Sequence, residues 1–269
     1  MPQERVCLWV PNLILGNAVE HLDKLEYDLV ITSPPYDNLR TYGNYDDWTF
    51  EKFRKVADAL SRNLVEGGVV MWNVADAVVG GSETGSSFRQ ALFFMDECGL
   101  RLHDTMIYYK TSCSFPSGAT STRYSQHFEY CFVFSKGRPK AINLLQDKPN
   151  KWAGTTAWGN SSKRTKEGEL VASGMKSKVI KEFGVRENVW RVPNSGGFGQ
   201  RDKRAYQHPA TMPEELARDH ILSWSNEGDV VLDPFMGSGT TGVACRKTNR
   251  EFIGIEINPE YYELAMSRV

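Results

Sequence analysis

The stretch Asp229–Gly242, DVVLDPFMGSGTTG, decides the fold of this chain. The apolar run before Asp233 predicts a buried strand, and Gly237–Gly242 matches G-x-G-x-x-G ahead of a predicted helix. An acidic residue, Glu256, ends the next predicted strand 23 residues beyond Asp233. Glycines let a ligand approach the backbone, a helix N-terminus offers free N–H groups, and a carboxylate binds ribose hydroxyls. The stretch therefore predicts a strand–loop–helix–strand unit that binds an adenosine-containing ligand.

This unit comes late in the chain, since only 13 residues follow Glu256. One such unit cannot make a stable sheet, so strands from the N-terminal half must complete it. Strands are predicted at Val6–Leu15, Tyr27–Thr32, Val69–Asn73, Thr105–Tyr109 and Phe128–Phe134. One helix is predicted at Phe50–Leu64, where Glu66-Gly67-Gly68 ends it, and another at Phe88–Cys98, before Gly99. A third begins at a capping box, Thr211–Glu214, and runs to about Trp224, and a last helix follows Asn258-Pro259-Glu260. The alternation predicts an α/β fold with a parallel core and a permuted order of elements.

The composition fits one large globular domain, or one domain with an insertion, because 41% of the 269 residues are hydrophobic and 24% are charged. We expect no membrane span, since no apolar run approaches the roughly 20 residues that a bilayer requires. No signal-like segment opens the chain. The five cysteines are scattered without a C-x-x-C pair, which argues against a disulfide scaffold or a zinc site and favours the cytoplasm.

The charge is unevenly distributed along the chain. Between Lys136 and Arg204 there are 16 Lys and Arg against 6 Asp and Glu, although the net charge of the whole chain is −1. Periodicity is weak over the same segment. We therefore predict an inserted basic region at 137–205 between two halves of one domain, 1–136 and 206–269. A basic region of this kind indicates a polyanionic partner or, equally, a solvated loop.

A second unusual stretch, TSPPY at 32–36, follows the predicted strand Tyr27–Thr32. By itself it reads as a polyproline turn. Together with DPFMGSGTT at 233–241 it resembles the paired motifs of the amino-methylating DNA methyltransferases, which modify cytosine N4 or adenine N6. Their β subgroup has this order, with the catalytic motif first, then a recognition region, then the cofactor motif. The resemblance implies a permuted Rossmann-like, S-adenosylmethionine-dependent methyltransferase sheet with an inserted basic recognition region.

The resemblance also implies roles for individual residues. An exocyclic amino group is a poor nucleophile, so acceptors on its hydrogens free its lone pair; Ser33 Oγ and the Pro34 carbonyl are the implied acceptors. Pro35 stiffens the backbone, and Tyr36 stacks on a base that has left the duplex. The segments HPATMPEEL (208–216) and LGNAVEHL (15–22) resemble cofactor borders, with Asn17 in place of the usual aspartate. The implied contacts of S-adenosyl-L-methionine are Asn17, Thr211, Asp233, Pro234, Phe235, Gly237, Gly239, Thr240 and Glu256.

The implied substrate is double-stranded DNA. The residues expected to contact its phosphates are Lys163, Arg164, Lys166, Lys176 and Lys178. Gly196–Gly199 reads either as a loop that closes on DNA or as a plain linker, and Trp152, Trp158 and Trp190 read as packing residues of a small subdomain. The resemblance implies a bacterial or phage origin. By analogy with the family, a homodimer and a partner restriction endonuclease are candidates.

Three further polar side chains lie near the ends of predicted strands. Asn73 and Asp76 follow a predicted strand and read equally as contacts of the site or as helix caps. His127, at the start of HFE, reads as structural.

Several other functions compete with cytosine-N4 methylation. In the family, serine before Pro-Pro-Tyr usually accompanies cytosine N4, so Ser33 favours cytosine, and adenine N6 is the alternative. A nucleotide-linked dehydrogenase using NAD would explain the glycine loop but not TSPPY. In glutamine methyltransferases Pro-Pro-Tyr follows the glycine loop, whereas here it precedes it. A non-catalytic DNA-binding module would not need both motifs.

Overall fold

The computed structural model describes residues 9–36, 48–111, 123–156, 162–173, 178–194 and 202–269, apart from the side chains of 203 and 206. The strands are β1 Asn12–Leu15, β2 Tyr27–Thr32, β3 Leu64–Val74, β4 Val78–Val79, β5 Ser82–Glu83, β6 Arg101–Lys110, β7 Phe128–Ser135, β8 Lys148–Pro149, β9 Ser162–Arg164, β10 Leu170–Ala172, β11 Phe183–Gly184, β12 Val189–Val192, β13 Val230–Asp233 and β14 Glu251–Glu256. The helices are α1 Ala18–Leu22, α2 Phe50–Asn63, α3 Ser86–Asp96, α4 Glu214–Trp224, α5 Thr240–Lys247 and α6 Pro259–Arg268, with a 3-10 helix at Lys203–Gln207.

Eight of these strands form one mixed sheet in the order β1-β14-β13-β2-β3-β7-β6-β12. The first five strands are parallel to one another, β7 runs antiparallel to both β3 and β6, and β12 is parallel to β6. The N-terminal strand β2 lies between β13 and β3, so elements from both ends of the sequence build the parallel half. The predicted α/β fold with a permuted order is confirmed.

An aromatic core holds α2 and α3 against one face of the sheet. Phe53 of α2, Trp72 of β3 and Phe94 of α3 are fully buried, with ring centroids 5.2–5.8 Å apart in edge-to-face contacts. The Trp72 indole donates a buried hydrogen bond to Gln90 Oε1 (2.8 Å), which satisfies the polar end of the ring. These contacts fix β3, which pairs with β2, and the carboxyl end of β2 leads into TSPPY.

Several predicted boundaries differ from those observed. Strand β6 begins at Arg101 rather than Thr105, and α3 spans Ser86–Asp96 rather than Phe88–Cys98. Residues 9–11 do not belong to the first strand, which begins at Asn12 just after Pro11, a residue without an N–H for a ladder. The predicted start at Val6 lies outside the described residues. Glu66-Gly67-Gly68 does not separate a helix from a strand, because β3 starts at Leu64, directly after α2. Gly67 (φ +76°) donates from its N–H to Lys136 O (2.8 Å), so the glycines lie inside the strand.

The capping box predicted for α4 is also wrong. The N-cap position is Pro213, which makes no side-chain capping bond, and Thr211 lies two residues before it. By contrast, the predicted cap of α6 is confirmed, because Asn258 Oδ1 accepts from the N–H groups of Glu260 (2.8 Å) and Tyr261 (3.4 Å). Within the described residues no helix is long and apolar enough to span a membrane.

The chain divides into two compact units, one of residues 1–143 and 188–269, the other of 144–187. The smaller unit contains the antiparallel pairs β9–β10 and β8–β11. It is narrower than the basic region predicted at 137–205, because Lys140 N–H bonds to Gly67 O (2.9 Å) and β12 pairs with β6 of the main sheet. Trp190 on β12 is therefore a packing residue, as predicted, but it is buried in the larger unit against His220. Trp152 is 54% exposed, so the packing role predicted for it is wrong.

Candidate functional site

The motif residues meet at the carboxyl edge of the parallel strands. Asp233 ends β13, Glu256 ends β14, and Ser33 follows β2, while β13 lies between β14 and β2. The carboxyl edge of an open α/β sheet is where ligands bind in this architecture. The structure thus brings together two motifs that are about two hundred residues apart in the sequence.

A buried hydrogen bond joins the two motifs directly. Thr32 Oγ1 donates to Asp233 Oδ1 (2.7 Å), and Thr241 Oγ1 donates to Asp233 Oδ2 (2.7 Å). The Phe235 N–H also donates to Asp233 Oδ1 (3.1 Å). Burial raises the pKa of the Asp233 carboxyl to about 6, even though these donors oppose that change. Both carboxylate oxygens are used inside the protein, so Asp233 fixes the glycine loop to the end of β2.

The glycine loop follows Asp233 and opens onto the N-terminus of α5. Gly237 (φ +49°) and Gly239 (φ +77°) take left-handed backbone conformations that favour glycine. A Cβ on Gly237 would approach His208 Nε2 to 2.9 Å, and one on Gly239 would approach Val269 Cγ2 to 2.6 Å. Gly239 is also the N-cap of α5 and makes no side-chain capping bond. The loop is therefore a narrow cradle whose helix-end N–H groups have no side-chain cap.

Glu256 closes the other side of this cradle. Its Oε2 accepts from Gly237 N–H (2.9 Å) and its Oε1 from Asn258 N–H (2.8 Å), and burial raises the pKa of the carboxyl. The parallel pairing of Leu15 with Glu256, and the bond from Gly16 N–H to Glu256 O (2.9 Å), bring the start of α1 to the same place. There Asn17 caps α1 by accepting from Val19 N–H (3.2 Å). Its predicted contact with the cofactor stays a prediction.

The remaining predicted cofactor residues lie around the same loop. Phe235 packs edge-to-face against Trp48 (5.2 Å between centroids) and Trp72 (6.4 Å), next to Pro234. Thr240 is buried at the start of α5, and Thr211 is half-buried ahead of α4. Their contacts with a cofactor stay predictions.

The catalytic motif ends in a dense polar network around the Tyr36 hydroxyl. Ser33 Oγ lies 2.7 Å from it, Glu129 Oε2 2.8 Å and Asn73 Nδ2 2.7 Å. Asn73 Nδ2 also donates to Glu129 Oε2 (2.7 Å), and Lys110 Nζ lies 2.6 Å from Glu129 Oε1. Pro34 is buried and Pro35 is half-buried between the two ends of the network. The motif is therefore held by β3, β6 and β7 as well as by its own strand.

The sequence alone did not decide the roles of Asn73 and Asp76, and it assigned no role to Glu129 or Lys110. Asn73 is a contact of the motif, while Asp76 accepts from Ser87 N–H (2.9 Å) and Ser87 Oγ (2.6 Å) at the start of α3, as a helix cap does. Neither Glu129 nor Lys110 has a role that was predicted from the sequence. A lone acidic residue in the apolar strand FEYCFVFS was the available signal for Glu129.

Two further residues support the glycine loop: His208, the first residue of the segment predicted to border the cofactor, and Arg268, which had no predicted role. His208 lies over Gly237 and edge-to-face on Tyr261 (4.4 Å). The buried Arg268 guanidinium donates to the Ser238 carbonyl and pairs with Asp202 (2.9 Å). His127 stacks on Tyr109 (5.9 Å), which fits the structural role predicted for it.

Three of the predicted DNA-contacting residues share one exposed hairpin. Lys163 and Arg164 lie on β9, which pairs with β10, and Lys166 lies in the connecting turn. Lys178 is exposed elsewhere in the same unit, beside the bridge of Thr156 with Val179. Lys176, Trp158 and the Gly196–Gly199 loop lie outside the described residues. No three His, Cys, Asp or Glu side chains in the described ranges converge as metal ligands.

Comparisons with known proteins agree with this geometry. Residues 27–267 match the sequence model of a family described as DNA methylase, N6_N4_Mtase. The chain is 53% identical over 250 residues to the orphan methyltransferase M.BamHII of Bacillus amyloliquefaciens, covering 93% of this chain and 91% of that one. Its fold is similar to that of the PvuII DNA methyltransferase (cytosine-N4-specific), with a TM-score of 0.66, 22% identity and coverage of 95% and 85%. It is also similar to the M1.HpyAVI–SAM complex, with a TM-score of 0.61, 21% identity and coverage of 96% and 99%.

Proposed function

The chain belongs to the DNA methylase family that its residues 27–267 match, and within that family we propose that it methylates the exocyclic N4 amino group of cytosine in double-stranded DNA. The methyl donor is S-adenosyl-L-methionine. The observation that carries the proposal is the Thr32–Asp233 hydrogen bond (2.7 Å), which joins the cofactor loop to the Ser33–Tyr36 motif. A methyl donor in the loop and an amino group at Ser33 would then be neighbours, and positioning of this kind contributes much of the rate in transfer reactions.

The residues present fit the cofactor. A Cβ on Gly237 or Gly239 would collide with its neighbours, and the N-terminus of α5 has no side-chain cap, so a ligand can approach the backbone there. Glu256 retains acceptor capacity for ribose hydroxyls, because each of its oxygens accepts one N–H bond. When bound, S-adenosyl-L-methionine supplies an activated methyl group.

The remaining chemistry belongs to the chain's own residues. In our proposal Ser33 Oγ and the Pro34 carbonyl accept the two hydrogens of the target amino group, which frees its lone pair for the methyl group. The Tyr36 ring, held through its hydroxyl, offers a face for the flipped base. No strong general base is required, since a methylated amine loses its proton readily.

Cytosine is favoured over adenine by the residue at position 33. Serine before Pro-Pro-Tyr usually accompanies cytosine N4 in this family, and the structurally similar PvuII enzyme is described as cytosine-N4-specific. Adenine N6 is the alternative within the same fold.

The exposed residues Lys163, Arg164, Lys166 and Lys178, together with Lys176, are proposed to contact DNA phosphates. Such contacts add affinity and orientation but do not read the base sequence. DNA as the substrate also supports our inference that the protein works in the cytoplasm of a bacterial or phage-infected cell. The homodimer and the partner restriction endonuclease stay predictions. Sedimentation analysis of the purified protein, alone and with DNA, tests whether it is a homodimer.

The identity of the product tests the proposal. The purified protein is incubated with unmethylated genomic DNA and labelled S-adenosyl-L-methionine, and the labelled nucleoside is identified by mass after digestion. We expect N4-methylcytosine. N6-methyladenine would overturn the choice of base but keep the reaction class. No labelled nucleoside, with cofactor binding intact, would contradict the DNA-methylation proposal for this protein.

A further inference from the structure

Among the described residues the Tyr36 hydroxyl has three polar neighbours, and their chemistry fixes the direction of the hydrogen bonds between them. Glu129 pairs with Lys110 through Oε1 (2.6 Å), and a carboxylate in an ion pair can only accept, so Tyr36 gives its single proton to Glu129 Oε2 (2.8 Å). The amide Nδ2 of Asn73 can only donate, so Tyr36 accepts from it (2.7 Å). Because Tyr36 has no second proton, Ser33 Oγ must donate its own proton to Tyr36 (2.7 Å). The Ser33 lone pairs are then left facing away from the network.

The other members of the network keep these directions from reversing. Asn73 cannot rotate its amide, since Nδ2 also donates to Glu129 Oε2 (2.7 Å) and Oδ1 accepts from Cys131 Sγ (3.2 Å). Lys110 Nζ, 2.6 Å from Glu129 Oε1, balances the charge of a carboxylate whose side chain is only 12% exposed. Burial and the Glu129 charge raise the pKa of the Tyr36 hydroxyl well above its usual range, so the phenol keeps its proton.

We propose that Glu129 is a positioning residue for methyl transfer, which acts through Tyr36 to hold Ser33 Oγ as a hydrogen-bond acceptor for the target amino group. The inference rests on the proposed function, in which Ser33 accepts from that amino group. Glu129 lies 93 residues from Tyr36 in the sequence and contacts the same hydroxyl that Ser33 contacts. A neutral residue at 129 would no longer compel Tyr36 to donate, and the Ser33 proton could then turn toward the substrate.

A double-mutant cycle separates this role from simple structural support. Single-turnover methyl transfer is measured at saturating DNA and S-adenosyl-L-methionine for wild type, Ser33→Ala, Glu129→Gln and the double variant. We expect Glu129→Gln alone to slow transfer about 10- to 100-fold, the range expected for a hydrogen bond to a charged group, with little change in the Kd for either ligand. In the Ser33→Ala background, the same change should add nothing further.

Two further variants keep the test sharp. Tyr36→Phe removes the hydroxyl but keeps the ring, and in this background Glu129→Gln should also have no further effect. The matched control is Glu51→Gln, because Glu51 is exposed on α2 and its ion pair is with the exposed Arg54 on the same helix (3.5 Å). It should transfer methyl groups at the wild-type rate.

The possible outcomes are distinct. If the slowing factors of Ser33→Ala and Glu129→Gln multiply, or if Glu129→Gln transfers at the wild-type rate, the positioning role is wrong while the proposed function stands. If the wild-type protein produces no methylated nucleoside, the proposed function fails, and this inference fails with it.

Discussion

Thr32 and Ser33 are neighbours in the chain, yet their hydroxyls serve different parts of the molecule. Thr32 Oγ1 is buried and donates to Asp233, 201 residues away, so it joins β2 to the glycine loop. Ser33 Oγ is half-buried and donates to Tyr36, three residues away, at the edge of the site. Successive side chains of an extended segment point to opposite sides. One strand end can therefore present one hydroxyl to the protein interior and the next to a substrate.

The difference separates stability from chemistry. The Asp233 centre is enclosed and satisfied by hydroxyls and a backbone N–H, so changes there should act first on folding. The Tyr36 centre ends in Ser33, whose lone pairs are not used by the network, so changes there should act first on rate. Variants at the two centres test this division.

The largest effect is expected from Ser33→Ala. The variant loses an oriented acceptor for the amino group, and loss of one oriented group in a transfer site slows the reaction by about 100- to 1,000-fold. Its free energy of unfolding should change little, because Ser33 lies at the edge of the network. Single-turnover kinetics with labelled cofactor and urea denaturation measure the two quantities. A marked loss of stability with a preserved rate would show that Ser33 serves folding rather than methyl transfer.

The next effect is a pH dependence of stability that comes from Asp233. Its carboxyl has a pKa of about 6 in the folded protein against 3.8 in the reference state, so the folded state holds the extra proton between these values. The contribution of this one carboxyl to the free energy of unfolding is therefore fully present below pH 3.8 and is lost as the pH rises through 6, by on the order of 3 kcal/mol. Asp233→Asn should lack this component. Denaturation of both proteins from about pH 3.5 to 7 checks it, and parallel curves would refute it.

A smaller loss of stability is expected from Thr32→Val. The substitution keeps the side-chain shape but removes one donor to the buried Asp233 carboxylate, which should lower the free energy of unfolding by about 1–3 kcal/mol. Because Ser33 and Tyr36 keep their contacts, methyl transfer should slow by less than about tenfold. A Thr32→Val protein that is as stable as wild type but inactive would remove the distinction between the two hydroxyls.

The smallest effect on the chemical step is expected from the exposed hairpin. Replacing Lys163, Arg164 and Lys166 by Gln should make the DNA-binding constant less dependent on salt. The magnitude of the slope of log K against log salt concentration should fall by up to about 0.9 for each phosphate contact that is lost. The rate at saturating DNA should not change. The matched control replaces Lys24, Lys55 and Arg101, which are exposed residues of the larger unit, by Gln. Equal salt slopes for the two triple variants would argue against DNA binding at the hairpin.

The sequence predicted those parts of the fold whose signals are local. Tyr27–Thr32 is a short β-branched run and forms β2 with the predicted bounds, and Asn258 before Pro259 caps α6 as predicted. The glycine loop and its helix were also predictable, because Gly237 and Gly239 occupy backbone conformations that favour glycine. The capping box at Thr211 failed because Pro213 sets the start of α4.

Interactions that depend on strand order could not be predicted in this way. The bond between Thr32 and Asp233 requires β13 to lie beside β2, and no local pattern specifies that neighbour. The hydrogen bond of Glu129 with Tyr36 similarly requires β7 to run antiparallel beside β3. The sequence therefore pointed to the motifs, while the sheet topology determines which polar groups complete them.

The most direct test of the role of Ser33 is the structure of a complex with a short duplex and S-adenosyl-homocysteine, once the recognition sequence has been read from methylated genomic DNA. We predict a flipped cytosine whose N4 lies within about 3 Å of Ser33 Oγ and the Pro34 carbonyl. A target base whose amino group is held by other residues, with Ser33 still bonded only to Tyr36, would contradict this role.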